Sequence, residues 1–183
     1  MQSRQTPDPV ETAVPAAVRR AQQAARLPPQ ATEPPTKIDI SIPDQCLTLK
    51  RGDETLYSYP ISTSRFGIGT EEGSFKTPTG QFCIGEKIGH DMPSGTIFQS
   101  RVPLAPGDPL PPTEDLVMSR ILWLGGLEED NANTRERFIY IHGTKHEDKI
   151  GRPASHGCIR MRNADVIELF DLVDEDTPVV IHE

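Results

Sequence analysis

The chain has 183 residues, enough for one domain with a substantial buried core. Hydrophobic residues make up 35% of it and aromatic residues 5%, and no stretch approaches the roughly 18 uninterrupted apolar residues of a membrane-spanning helix. The formal net charge of -8 disfavours contact with the phosphates of nucleic acids and with anionic lipids, so we expect neither nucleic-acid binding nor membrane insertion.

The first 36 residues differ in composition from the rest of the chain. They contain seven of the 18 prolines and no aromatic residue, so they offer too little apolar surface to build a core. We predict a disordered Pro/Ala-rich tail over residues 1–36 and one domain over residues 37–183. The start of the chain has no apolar segment typical of a secretory signal, which predicts a cytoplasmic protein, or a periplasmic one if the native N-terminus differs.

Short strands separated by turns dominate the rest of the sequence. Residues 38–42 alternate apolar and polar side chains, as a half-buried strand does. The further strands are predicted over residues 47–50, 55–59, 81–84, 117–124, 138–142 and 177–182. Residues 86–113 are rich in Gly and Pro and are interpreted as a long surface loop, a type of segment that often forms a lid. This pattern predicts an all-β sandwich.

One principal helix is predicted near the C-terminal end. Asn163 is expected to be its N-cap, and Asp165 places negative charge in the first turn. The apolar residues that would share one helix face are Val166, Leu169, Phe170 and Val173.

Three cysteines lie far apart in the sequence, with no Cys-x-x-Cys pair. This odd and sparse set does not favour a disulfide framework. Cys46 and Cys83 flank apolar strand residues and are interpreted as core thiols. Cys158 is different because histidines and glycines surround it.

The chemically informative segments are Ile141–Thr144 and Ser155–Met161. They bring a cysteine and two histidines into neighbouring segments, provided that the chain folds back across the sixteen positions between His142 and Cys158. Cysteine proteases and acyltransferases need a thiol whose pKa is lowered by an imidazole, and an imidazole held by a third group. We therefore predict that Cys158 is a nucleophile and His142 its base.

Other interpretations of these residues are open. His156 lies two residues from Cys158 and is a competing base, because alternate residues of an extended segment share a face. A zinc site is disfavoured because the spacing fits no usual zinc motif, so we expect no metal and no cofactor. The residues that such a site would use are His142, His146, His156 and Cys158.

The combined pattern resembles the L,D-transpeptidase catalytic domain, also called the YkuD family. The resemblance covers roughly residues 37–183 and is most specific in the His-Gly pair followed by Ser-His-Gly-Cys-x-Arg. The matching residues are His142, Gly143, Ser155, His156, Gly157, Cys158 and Arg160, with Thr-Pro-Thr-Gly at residues 77–80 as a weaker match. The acidic loop 174–178 departs from the glycine that related domains often have there.

The resemblance implies a role for each residue of the motif. Cys158 would attack the carbonyl of a diamino acid that precedes D-alanine, releasing D-alanine and leaving a thioester. His142 would accept the thiol proton and later protonate the leaving amine. The backbone carbonyl of Gly143 would orient the imidazole, in place of the usual carboxylate.

The remaining residues of the motif would line the substrate pocket. The backbone N–H groups of Gly157 and Cys158 are the implied oxyanion donors. Ser155 and His156 would brace the pocket, and Arg160 would pair with a substrate carboxylate.

The implied partners are peptidoglycan tetrapeptide stems or muropeptides, and we expect a monomer. If an amine of a second stem takes the acyl group, the protein is a transpeptidase. If water takes it, the protein is an L,D-carboxypeptidase of peptidoglycan recycling, which the missing signal sequence favours. A third interpretation, from another functional class, is a non-catalytic peptidoglycan-binding module.

Overall fold

The computed structural model describes residues 34–113 and 115–183. The predicted tail lies almost wholly outside the described residues, although Thr36, which we assigned to it, already begins the first strand. The strands are β1 (Thr36–Ser41), β2 (Cys46–Arg51), β3 (Glu54–Pro60), β4 (Gly80–Ile88), β5 (Ile97–Gln99), β6 (Val102–Pro103), β7 (Val117–Gly126), β8 (Tyr140–Gly143), β9 (Ile159–Met161) and β10 (Pro178–His182).

These strands join into one sheet whose order runs β3-β2-β1-β10-β4-β7. Strand β7 then pairs with β5 and also with β8, which carries β9 on its other side. Most neighbours are antiparallel, but β1 pairs with β10 in parallel, and so does β8 with β9. The predicted mainly-β fold with one principal helix is confirmed.

Alternation along β7 gives the molecule two apolar clusters. Leu122 and Leu124 belong to the main core, whereas Ile121 and Trp123 point to the opposite face and build a smaller cluster with Phe98 and Tyr140. The smaller cluster lies under the candidate site. The residues of the main core include Ile38, Ile40, Leu47, Leu49, Phe82, Ile84, Ile141, Ile159, Val179 and Ile181.

The helix α1 (Asn163–Leu172) closes the main core. Its Val166, Leu169 and Phe170 are buried as predicted, and Val173, which follows the helix, is buried with them. The buried helix face explains why α1 forms next to β7 and β8, since burial of apolar side chains stabilises a short helix more than intrinsic propensity does. Within the described residues, no helix is long and apolar enough to cross a membrane.

The prediction that Asn163 is the N-cap is wrong. Arg162 holds the cap position in an extended conformation, and Asn163 is the first helical residue. Its backbone N–H and its Nδ2 both donate to Glu147 Oε1 at 2.8 Å, and Nδ2 also donates to the Thr144 carbonyl at 2.8 Å. Its Oδ1 accepts the hydroxyl of Ser119 at 2.6 Å. Asn163 therefore ties the start of α1 to β7 and to the segment that follows β8.

The Gly- and Pro-rich segment 86–113 is more regular than predicted. Strand β4 continues into it as far as Ile88, and β5 and β6 form a hairpin inside it. Ser100 and Arg101 turn the hairpin with φ angles of 49° and 69°. Such paired positive φ values are typical of tight hairpin turns. His90, within this segment, packs edge-on against Phe170 with ring centroids 4.7 Å apart.

Candidate active site

Strands β8 and β9 place the predicted nucleophile and base on one face of the sheet. Ile141 and Ile159 are register partners, and both point into the main core. Their neighbours His142 and Arg160, also register partners, therefore point to the opposite face. Cys158 immediately precedes β9 and packs against the smaller apolar cluster on that same face. The chain thus folds back between His142 and Cys158 as the sequence predicted.

The imidazole of His142 is held in one orientation by the backbone. Its side chain is buried, and Nδ1 lies 2.7 Å from the carbonyl oxygen of Gly143. A carbonyl can only accept, so Nδ1 carries the proton and Nε2 keeps a free lone pair for a proton. Burial lowers the pKa of His142, against the opposing effects of Asp115 and of the Gly143 carbonyl. At neutral pH the residue is a neutral imidazole.

Gly143 has to be a glycine because other groups approach it closely. A Cβ atom at this position would lie 2.8 Å from the Met118 carbonyl oxygen and closer still to Asn163 Oδ1. Neither neighbour can move easily, since Asn163 is fixed by its hydrogen bonds to Ser119 and Thr144. The same packing fixes the Gly143 carbonyl that orients His142.

Cys158 is a partly accessible thiol with two backbone contacts. The N–H of Tyr140 donates to Sγ at 3.4 Å, and Sγ–H donates to the carbonyl of Phe138 at 3.3 Å. Phe138 has a φ angle of 56°, so a non-glycine residue holds a left-handed conformation beside the thiol. Burial raises the pKa of Cys158 to about 12, although the Tyr140 N–H acts to lower it. The expectation of a thiol with a lowered pKa is wrong, because burial of a thiolate costs more than this donor returns.

The turn before Cys158 is shaped by Gly157 and Ser155. Gly157 has a φ angle of 119°, and a Cβ atom would lie 3.3 Å from Ile139 Cδ1, so a glycine is favoured for both reasons. Ser155 Oγ donates to the Cys158 carbonyl at 2.6 Å and accepts the Gly157 N–H at 3.3 Å. Thr77 donates to the Gly157 carbonyl at 2.9 Å, which links the Thr-Pro-Thr-Gly segment to the turn. The Gly157 N–H is an expected oxyanion donor. It would have to give up its long hydrogen bond to Ser155 Oγ before it could donate to an oxyanion.

The competing base, His156, has no lone pair available. Its Nε2 lies 2.9 Å from the guanidinium of Arg65, which can only donate, so Nε2 accepts. Its Nδ1 then carries the proton and donates to Asp115 Oδ2 at 3.3 Å. The ring also packs between Phe66 and Phe75, at centroid distances of 5.7 and 5.9 Å. This arrangement favours His142 as the base.

Arg160 shares the face of His142 and Cys158, but it is not open to a substrate carboxylate as expected. It is 2% exposed, and its Nη2 lies 2.6 Å from Asp115 Oδ2. A guanidinium buried in this way cannot meet a substrate carboxylate without a rearrangement. Asp115 comes from the segment before β7 and was missed at the sequence level, because nothing near it in sequence marks it as part of the motif.

Comparison with known proteins identifies the family. Residues 35–181 match the model of the YkuD family, which is described as the L,D-transpeptidase catalytic domain. The chain belongs to this family. The YkuD protein of Bacillus subtilis (strain 168), named as an L,D-transpeptidase, is 30% identical over 148 residues, and the matched region covers 81% of this chain and 66% of that protein.

Solved L,D-transpeptidases share the fold. One from Xylanimonas cellulosilytica DSM 15894 has a TM-score of 0.55 and 18% identity, covering 92% of this chain and 71% of the other. L,D-transpeptidase 3 from Mycobacterium tuberculosis, in complex with a faropenem-derived adduct, has a TM-score of 0.53 and 19% identity, covering 82% of this chain and 61% of the other. Among the residues that the structure describes, no group of three or more His, Cys, Asp or Glu side chains is placed to hold a metal ion.

Two surfaces of this L,D-transpeptidase domain include residues that neighbour Cys158. On one side is a cavity of about 260 Å³, whose lining residues are Glu72, Gly73, Phe75, Glu136, Arg137, Phe138, Ile139 and His156. On the other side the rings of Trp123 and Phe138 stack with centroids 6.1 Å apart, and Tyr140 meets Trp123 edge-on at 5.7 Å. The guanidinium of Arg101, at the tip of the β5–β6 hairpin, lies 4.6 Å above the Trp123 ring. Part of the predicted loop thus covers the aromatic side of the site.

Proposed function

We propose that this protein is a cysteine-dependent L,D-transpeptidase that acts on peptidoglycan stem peptides. The observation that carries the proposal is the placement of Cys158 on the same sheet face as His142, whose Nδ1–H is fixed by the Gly143 carbonyl at 2.7 Å. A thiol and an imidazole with a free Nε2 on one face of the sheet fit what nucleophilic acyl transfer needs. Membership of the L,D-transpeptidase family supports the substrate class.

In the first half-reaction Cys158 is acylated. The His142 Nε2 accepts the thiol proton as Sγ attacks the carbonyl carbon of the L,D-peptide bond, and the carbonyl oxygen becomes an oxyanion. The Cys158 N–H is our candidate donor to that oxygen, together with the Gly157 N–H once it exchanges its bond to Ser155. The imidazolium then gives the proton to the amine of D-alanine. The C–N bond breaks, D-alanine leaves, and a thioester remains on Sγ.

In the second half-reaction the thioester is transferred to an acceptor. An amine attacks the thioester carbonyl, His142 takes the amine proton, and the Cys158 thiol is restored as a new amide bond forms. The cavity lined by Phe138 and His156, and the aromatic surface of Trp123 and Tyr140, offer two places near the thiol and support a reaction with two peptide substrates. Glu72 and Glu136 on the cavity lining supply negative charge that favours an approaching ammonium group.

Hydrolysis is the competing outcome of the same thioester. If water attacks in place of the amine, the product is a tripeptide stem and the protein acts as an L,D-carboxypeptidase. Effective molarities for a well-oriented acceptor reach about 10⁵ M or more, so a bound amine would outcompete 55 M water by roughly three orders of magnitude at equal reactivity. The partition between the two products therefore reports whether an acceptor is held beside the thioester.

The test is incubation with a purified tetrapeptide-bearing muropeptide, with and without a second muropeptide as amine acceptor, followed by mass analysis. We expect release of D-alanine and a 3–3 linked dimer. Cys158→Ala should abolish both products, and Cys46→Ser and Cys83→Ser are the matched controls that should keep them. Tripeptide as the dominant product in the presence of acceptor would contradict transpeptidation and favour the carboxypeptidase.

A covalent probe distinguishes an enzyme from a non-catalytic binding module. Faropenem contains a strained amide carbonyl, so a competent thiol should form a stable adduct that intact-mass measurement detects. We expect one adduct on the wild-type protein and none on Cys158→Ala. Binding of muropeptide with neither an adduct nor turnover would contradict the enzymatic proposal.

A further inference from the structure

Asp115 is a buried carboxylate at the centre of the site with no role so far. Its side chain is 15% exposed, and Oδ2 lies 2.6 Å from Arg160 Nη2 and 3.3 Å from His156 Nδ1. Its Oδ1 is buried and has no hydrogen-bond partner among the described residues. A carboxylate held in such surroundings usually has either a strong structural partner or a function, because its burial is costly. Asp115 has a partner in Arg160, but that partner is itself only partly satisfied.

The Arg160 guanidinium is the cation next to the base. Arg160 and His142 are register partners on β9 and β8, and their side chains point to the same face. Arg160 Nε and Nη1 are buried and have no hydrogen-bond partner among the described residues, so Asp115 is the carboxylate that balances its charge. A buried positive charge beside His142 opposes protonation of the imidazole, and a buried negative charge favours it.

The charges that face His142 come from three elements. Arg160 comes from β9, Asp115 from the segment that precedes β7, and Cys158 and His156 from the turn before β9. The Nδ1 of His156 lies against Asp115 and its Nε2 against Arg65, and the Cys158 thiol is uncharged at neutral pH because burial raises its pKa to about 12. Asp115 is therefore the negative charge that faces the base in the resting site.

We propose that Asp115 is a positioning residue for the acyl-transfer reaction: it offsets the Arg160 charge and so permits His142 to take the Cys158 proton. The role rests on the proposed function. Asp115 does not touch the imidazole in the way a triad carboxylate does, since the Nδ1–H of His142 is used by Gly143. The backbone carbonyl sets the orientation of the ring, and the distant carboxylate supplies the charge. Orientation and charge stabilisation, which one carboxylate supplies in the Ser-His-Asp arrangement, are divided here between two groups.

The electrostatic evidence agrees with this geometry. Burial lowers the pKa of His142, and Asp115 is the largest effect that raises it. Burial acts to raise the pKa of Asp115, but the charge that His142 carries when protonated, together with the contacts with Arg160 and His156, outweighs it and holds that pKa below its usual value. His142 and Asp115 each affect the pKa of the other, and both lie in a poorly solvated region.

The test is the pKa of His142 in four forms of the full chain, measured by NMR titration of the labelled imidazole. Asp115→Asn should lower it by about one unit or more, because the Arg160 charge then acts alone. Arg160→Gln should raise it. The double variant should fall between the two single variants, and Asp171→Asn, an exposed acid on α1, should leave the value unchanged. Opposite shifts from two partners of one ion pair cannot arise from general loosening of the fold.

A kinetic measurement connects the same variants to the reaction. The rate of Cys158 acylation by faropenem should fall with decreasing pH as His142 becomes protonated, and this acid limb should move to lower pH in Asp115→Asn. The plateau rate should also fall, by roughly tenfold or more, since the developing imidazolium loses its counter-charge. A purely structural role would lower the rate at every pH without moving the limb.

The result that overturns the proposal is a His142 pKa that is unchanged in Asp115→Asn, or one that moves the same way in Asp115→Asn and Arg160→Gln. Asp115→Asn leaves Arg160 buried without a counter-ion and could fail to fold for that reason. In that case the comparison of the His142 pKa between Arg160→Gln and the double variant tests the proposal. They differ only in the carboxylate, so the pKa must be lower in the double variant. The titration requires no turnover. The proposal for Asp115 can therefore fail while the transpeptidase proposal stands, and the transpeptidase proposal can fail while the effect of Asp115 on the His142 pKa is observed.

Discussion

The resting state of Cys158 leads to a prediction that separates two kinds of cysteine enzyme. Burial raises the pKa of the thiol to about 12 and lowers the pKa of His142, so both groups are neutral at pH 7. A papain-like site would instead hold a thiolate–imidazolium pair, whose thiolate reacts quickly with any small electrophile. We predict that free Cys158 alkylates slowly with iodoacetamide and that the rate keeps increasing with pH up to pH 10.

The magnitude follows from the pKa values. An ordinary thiol has a pKa of 9.0, so the pKa of Cys158, at about 12, lies about three pH units higher. Since the thiolate fraction below the pKa falls tenfold per unit, Cys158 should have about 10³-fold less thiolate than an ordinary thiol at pH 7.5. Alkylation should slow by a similar factor, offset in part because a more basic thiolate is a better nucleophile.

The assay is the rate of iodoacetamide adduct formation, followed by intact mass from pH 6 to pH 10. The background is the Cys46→Ser/Cys83→Ser double variant, so that each adduct reports Cys158. Acylation by faropenem in the same background is the internal comparison. It should remain fast at pH 7, because His142 removes the proton during attack and no free thiolate is needed.

A plateau in the alkylation rate below pH 8 would refute this reasoning, because it would show that the thiolate is already formed. Fast alkylation of the His142→Ala variant would also contradict it, since burial alone should keep the thiol protonated. Slow alkylation together with fast acylation would support a thiol that is activated only by a correctly bound acyl donor.

Four other substitutions test the assignments. His142→Ala should lower kcat by about 10²- to 10⁴-fold, and His156→Ala by much less because both of its ring nitrogens are already engaged; reversed effects in the turnover assay would transfer the base to His156. Gly143→Ala should lower the free energy of unfolding by about 1–3 kcal/mol and also lower kcat, because the new Cβ displaces Asn163 or the carbonyl that orients the base; thermal melts and steady-state rates measure both. Phe170→Ala should cost about 3–5 kcal/mol in chemical denaturation with kcat unchanged at low temperature, and a loss of kcat in the folded protein would show that α1 supports the site more directly.

Local patterns predicted the elements and the core of the site. Alternating side chains identify β1 and β2, and the helix face of Val166, Leu169 and Phe170 is buried as expected. The His-Gly and Ser-His-Gly-Cys segments are sufficient to identify the family, because they hold the proposed nucleophile, the proposed base and the turn glycine within one short stretch. These features depend on neighbours in sequence, which is why the sequence reveals them.

Features that depend on distant residues were not predictable. The burial of Arg160 and its pairing with Asp115 join positions 45 residues apart, and Asp115 lies in a segment without any motif. Asn163 looked like an N-cap because its type is common there, but tertiary bonds to Glu147 and Thr144 shift the helix start by one residue. The high pKa of Cys158 likewise follows from packing that no local pattern encodes.

In the proposed mechanism, a neutral thiol and a compensated ion pair together make the site selective for a bound acyl donor. With Cys158 and His142 uncharged and the Arg160 charge offset by Asp115, the resting site carries almost no net charge to solvate. In the proposed reaction, charge develops only when the thiol proton moves to His142, and the Asp115 carboxylate, which does not touch the ring, is already in place to stabilise the imidazolium. Because the fixed groups need not reorganise, the cost of creating that charge in a buried site is reduced at the moment of attack. This arrangement does not speed the reaction of an electrophile that is not bound next to Sγ, whereas it lowers the barrier for attack on a peptide bond held over the thiol.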